Sequence, residues 1–125
     1  MAYEPEPKKK QTHRQLRVAE QVRGVLSDAM RRGHFSNKFL FEHARNVTVG
    51  GVDISPDLKN AKIYVMTLNA TLLADVLKAL NANRHYFQKE INDKMKMKFT
   101  PKLHFLKDES FAEAQRIEKL LSKLK

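Results

Sequence analysis

The sequence predicts an α+β fold: a three-stranded sheet backed by helices, in one domain over residues 13–125 preceded by a disordered basic arm over 1–12. Three observations carry this. Residues 47–68 hold two alternating apolar runs around a Ser-Pro-Asp turn, the pattern of an antiparallel hairpin. Flanking segments repeat apolar residues every three or four positions, the stripe of a helix packed on one side. Pro101 then separates a helical series from one more alternating run.

Residues 1–12 combine two prolines, two glutamates and Lys8-Lys9-Lys10, with little to bury. From Arg14 to Arg32, Val18, Val22, Val25 and Ala29 form a stripe with Ala19, Leu26 and Met30 beside it, and Gly33 supplies the stop. Residues 34–44 hold Phe35, Phe39, Leu40 and Phe41 interrupted by Ser36, Asn37 and Lys38. They read as a loop pinning its aromatics to the core. Val47 and Val49 begin the hairpin, Gly50-Gly51 permits a bulge before Val52 and Ile54, and Pro56 presets the turn. On the second strand Ala61, Ile63 and Val65 form one face; Tyr64, Met66 and Leu68 form the other.

Helical spacing returns at Leu73, Val76, Leu77 and Leu80, and again at Phe87, Ile91 and Met95. Between these runs Asn81-Ala82-Asn83-Arg84-His85, with its two asparagines, suits a break or kink, because Asn and His tolerate left-handed backbone better than most residues. The stretch KMKMKFTPKLHF, residues 94–105, divides at its proline. The helix is expected to end near Lys98, with Lys94, Lys96 and Lys98 in its last turns, where cations favour the negative end of the helix dipole. Leu103 and Phe105 then mark a third strand. Ser110 and Glu113 form a capping box for a C-terminal helix bearing Ala114, Ile117, Leu121 and Leu124 on one face.

The net charge of +10 exceeds the roughly 2–8 common for a small soluble domain and points to a polyanionic partner, nucleic acid before membrane. The chain has no run of about 18 apolar residues to span a bilayer, and the segment MAYEPEPKKKQTHRQ lacks the apolar stretch of a secretory leader. Without cysteine it has no disulfide or thiolate zinc site, so a cytoplasmic location is expected. A P-loop, a dinucleotide fingerprint and a G-x-S-x-G elbow are all missing from the sequence. His13, His34, His43, His85 and His104 are scattered, without metal-ligand spacing.

The order α-β-β-α-α-β is that of the bacterial-type (type II) KH domain. The segments GVDISPDLKNAKIYV, Gly51 to Val65, and FTPKLHFLKDES, Phe99 to Ser110, together with RQLRVAEQVR, Arg14 to Arg23, resemble the ribosome-binding factor A family over nearly the whole chain. The resemblance implies a KH-like, non-enzymatic protein, monomeric and without a cofactor. It also implies binding to the small (30S) ribosomal subunit through 16S rRNA, help in late maturation of the 5′ end of that RNA, a role in cold adaptation, and release by a ribosome-associated GTPase. Two departures stand out. The sequence has no GxxG loop of the kind with which KH domains clamp RNA. It also has Asn83-Arg84-His85 where the family carries an Ala-x-Gly kink.

From residue 84 to 107, seven Lys or Arg stand against Glu90 and Asp93 alone. Arg84, Lys89, Lys94, Lys96, Lys98 and Lys102 are therefore the candidate RNA-binding residues, with Arg14 and Arg17 as a second basic group beside the arm. A solvated helix face is the plain alternative. Lysine, a point charge, suits recognition of RNA backbone and shape rather than base sequence. Among the aromatics, Tyr86 beside Arg84 is the candidate for base stacking. The competing reading is an RNA-cleaving or RNA-modifying enzyme, which would need acid–base groups brought together by the fold.

Overall fold

A computed structural model describes residues 11–33 and 35–108. The expected C-terminal helix and the lysine run 8–10 lie outside the described residues. Helix α1, His13–Arg32, starts at a capping box in which Thr12 and Gln15 exchange side chain-to-backbone hydrogen bonds. It stops at Gly33, whose φ of 65° lies in the left-handed region that glycine enters without strain. Residues read as a loop contain instead a short helix, α2, Lys38–His43, continued by a 3-10 turn over Ala44–Asn46. Asn37, taken in the sequence for an interruption, nucleates α2 by accepting a hydrogen bond from the Leu40 N–H. Phe35 is pinned as expected, while Phe41 points to solvent.

Strands β1, Val47–Ile54, and β2, Asn60–Thr67, pair antiparallel from Val47↔Thr67 to Ile54↔Ala61, with a slip in register between Val49 and Gly51. Gly50 lies against the Asp108 carboxylate, which would have to turn aside for a Cβ. A 3-10 turn over Ala70–Leu72 leads into α3, Leu73–Ala82, followed by α4, Arg84–Met95. The chain then returns as β3, Lys102–Lys107, parallel to β2, giving the sheet order β1-β2-β3.

Strand alternation sorts the sheet into two faces. Val47, Val49, Ile54, Ala61, Ile63, Val65, Leu103 and Phe105 are buried on one, under Val22, Leu26 and Ala29 of α1, Val76 and Leu80 of α3, and Phe87 and Ile91 of α4. Thr48, Lys62, Tyr64, Met66, His104 and Leu106 take the other face, all partly or fully exposed. The helices thus form one layer against one side of the sheet.

Helix α4 ends at Met95, short of Lys98. Lys96 adopts φ 49° and donates its N–H to the Asn92 carbonyl, a left-handed cap that turns the chain out of the helix. Of the three lysines expected in the last turns, Lys94 alone is helical; Lys96 is the cap and Lys98 lies beyond it. The α3–α4 junction also differs from expectation. Asn83 sits at φ −108°, ψ 20°, so the bend uses no left-handed residue and needs no glycine. Its side chain donates to the Ala79 carbonyl and its N–H to the Ala79 and Leu80 carbonyls, closing the end of α3.

Candidate nucleic-acid interface

Helices α1 and α4 run antiparallel, and their contacts fix what lies at each end. Arg32 meets Glu90 at 2.7 Å, while Gln21, Gly24, Val25 and Asp28 share an open groove of about 490 Å³ with Lys94 and Met95. Moving along α1 toward its start therefore leads past the end of α4. The same end of the molecule holds the close of β1, where Gln15 donates to the Ile54 carbonyl at 2.9 Å. It also holds the start of β3, where the Lys102 N–H donates to the Lys59 carbonyl at 2.8 Å.

This basic pole gathers Arg14 and Arg17 from the first turns of α1, Lys94 from the last turn of α4, Lys96 and Lys98 from the connection, and Lys102 from the start of β3. All six are exposed, and none forms an ion pair with an acidic side chain among the described residues. Lys59, in the β1–β2 turn beside Lys102, is a further cation there that the sequence did not single out. Its signal, one lysine in a turn, is too common to select.

Arg84, His85 and Asn83 do not belong to that surface. They open α4 at the other end, about 15 Å from Lys94 at 1.5 Å per residue. Lys89 lies between, on the solvent side of α4 opposite Phe87 and Ile91. The lysines and the kink, adjacent in the linear reading, are thus held apart by the length of a helix.

The junction end is closed by hydrogen bonds and rings. Asn81 donates to the Phe105 carbonyl at 3.1 Å and accepts from the Phe105 N–H at 2.9 Å, satisfying the β3 edge that β2 does not pair. Phe35, Tyr86 and Phe87 lie within 5.0–5.5 Å of one another, centroid to centroid, and Phe87 meets Phe105 edge-on at 5.3 Å. Tyr86 is therefore engaged within the protein and does not offer the free stacking face expected of it. Burial, then the Glu90 charge, raises its phenol pKa.

Charge at this end is also spent internally. Arg32 hydrogen-bonds Glu90, which raises the guanidinium pKa. Its Nε lies 2.9 Å from Asp28 but out of line for a hydrogen bond, leaving a charge contact. Arg31 hydrogen-bonds Asp28 and holds that carboxyl below its ordinary pKa. His13, His43, His85 and His104 fall on four different elements, and among the described residues no group of three or more His, Asp or Glu side chains gathers to hold a metal.

The architecture is that of a type II KH-like α+β domain, a three-stranded sheet with the described helices on one side. The ribosome-binding factor A family model matches residues 14–121, and the chain belongs to that family. Ribosome-binding factor A of Nitrobacter winogradskyi is 45% identical over 119 residues, 95% of this chain and 85% of that one. The solution structure of a Thermotoga maritima protein described as a putative ribosome binding factor A superposes with a TM-score of 0.64 at 19% identity, over 82% of this chain and 94% of the other. A Thermus thermophilus ribosome binding factor A, a homology model fitted into the cryo-EM map of a 30S complex, gives 0.56 at 22% identity, over 73% and 91%.

Proposed function

We propose that this protein is a small-subunit assembly factor that binds free 30S subunits through 16S rRNA and assists late maturation of its 5′ end, without catalysis of its own. The carrying observation is the basic pole: six exposed cations, none paired with a described acid, from α1, α4, β3 and the α4–β3 connection of a chain in the ribosome-binding factor A family. The Thermus thermophilus relative described in a 30S complex supports the choice of ribosomal particle. Unpaired lysines neutralise phosphates and release condensed counterions, so binding falls steeply with salt. Arg84 and Lys89, farther along α4, would meet RNA only if it wraps past the pole.

A binder assists maturation by holding one RNA conformer more tightly than its alternatives, and it can shift that equilibrium only by the difference. The four described histidines lie on four separate elements, which favours this reading over an RNA-cleaving enzyme. The proposal includes action as a cytoplasmic monomer, importance for growth in the cold and release by a ribosome-associated GTPase. Cosedimentation tests it. The protein should pellet with free small subunits, leave them at high salt and not pellet with complete ribosomes. Equal binding to both particles would refute the reading.

A further inference from the structure

The connection between α4 and β3 carries one side chain that charge does not explain. Phe99 is 63% exposed, although it continues the apolar alternation of Met95 and Met97, both packed against the core. The left-handed Lys96 and the buried Pro101 bracket the segment, and between them the chain turns Phe99 outward. Leaving a phenylalanine in water forgoes about 1.5–3 kcal/mol of burial. Single exposed apolar residues occur on most proteins. What distinguishes Phe99 is its setting: the Lys98 ammonium lies 5.7 Å from its ring centroid, and Lys96 and Lys102 flank it in sequence. Among the described residues the other exposed phenylalanine, Phe41, has Lys38 and Arg45 near it in sequence but no ammonium over its ring. Nor does Phe99 pair with another ring among the described residues, unlike Phe35, Tyr86, Phe87 and Phe105.

We propose that Phe99 is a stacking platform for one unpaired RNA base, with Lys96, Lys98 and Lys102 holding the phosphates on either side of that nucleotide. This rests on the RNA-binding reading of the basic pole and adds a requirement to it: the RNA must present a single-stranded, splayed base there. An aromatic face among cations is the usual composition of a single-strand site, because every base has a π-face while the backbone supplies the charge. A rigid, apolar protein partner would have no use for Lys98 beside the ring or for Lys96 and Lys102 near it in sequence, whereas RNA satisfies both.

The chain has no tryptophan, so Phe99→Trp introduces a lone fluorophore at the site. Titration with a twelve-nucleotide single-stranded RNA should quench its emission, and an RNA duplex of equal charge should quench it far less. Phe99→Ala and Phe99→Leu should both bind the single strand about 5- to 100-fold more weakly, with an unchanged salt slope. If Phe99→Leu binds as tightly as the unaltered protein, or if the tryptophan is not quenched while the RNA binds, stacking is refuted. Recovery of binding by leucine would mark an apolar, protein-type contact. Failure of the unaltered protein to bind the single strand or small subunits would instead refute the underlying RNA reading, a result separable from the behaviour of the variants.

Discussion

At the Arg84 end of α4, side-chain amides close the backbone: Asn83 caps α3, Asn81 pairs both polar groups of Phe105, and four aromatic rings interlock behind them. At the Met95 end the chain leaves the helix through a strained left-handed lysine, and among the described residues 97–101 make no backbone hydrogen bond. The first end spends Asn81, Asn83 and Arg32 on internal partners, Arg32 binding Glu90 and touching Asp28, while Arg84 has no ion pair among the described residues. The second has, among the described residues, no ion pair on its cations and turns an aromatic outward. One helix thus joins an anchoring end to a presenting end. The packed rings and closed backbone of the first hold the second in position, and the second meets few internal partners among the described residues.

Substitutions at the two ends should therefore separate stability from binding. The largest effect belongs to the anchor: Phe87→Ala removes a fully buried ring shared by α4, Phe35 and Phe105 and should cost about 3–5 kcal/mol in chemical denaturation. Asn81→Ala leaves the Phe105 N–H and carbonyl without their partner and should cost about 2–4 kcal/mol, with faster amide exchange along β3. A loss below half a kilocalorie in either variant would show that the junction is not an anchor. At the presenting end, Lys96→Gln with Lys98→Gln should leave stability within about 0.5 kcal/mol while lowering the salt slope of rRNA binding by about 2. An unchanged slope would remove these lysines from the interface.

The smallest effect concerns pH. Asp57 is held below its ordinary pKa by hydrogen bonds from Ser55 and the Lys59 N–H in the β1–β2 turn. A depressed carboxylate contributes fully above its ordinary value and loses that contribution as pH falls through its folded value. The protection of the Lys59 amide, relative to its intrinsic exchange rate at the same pH, should accordingly fall in acid, and Asp57→Asn should reduce that pH dependence. The turn lies beside Lys102, so the same acid range should loosen the edge of the basic pole without disturbing the junction.

The hairpin, its bulge and the third strand were legible because alternation and glycine placement are local signals. Asn83 was legible as a break but not as its solution. The sequence suggested a left-handed residue, whereas the amide side chain closes the bend at negative φ by bonding back to Ala79. Asn37 was misread for a related reason, since a polar residue between aromatics looks like an interruption until its oxygen is seen capping α2. The candidate cations were visible as a count, but their division between two ends was not. That division comes from the antiparallel packing of α1 on α4, which brings Arg14 and Arg17 round to Lys96 and carries Arg84 away. Thr12-x-x-Gln15 was a readable capping box hidden by the basic residues around it. Phe99 gave no signal, because Met95, Met97 and Phe99 together look like one inward-facing series.

Site-specific photocrosslinking to purified small subunits, from position 96 in one variant and position 85 in another, tests the central claim most directly. The account predicts strong crosslinks to 16S rRNA from position 96 that vanish at high salt, and weak or no crosslinks from position 85. Strong crosslinks from position 85 with none from position 96 would contradict it, placing the RNA at the anchoring end instead.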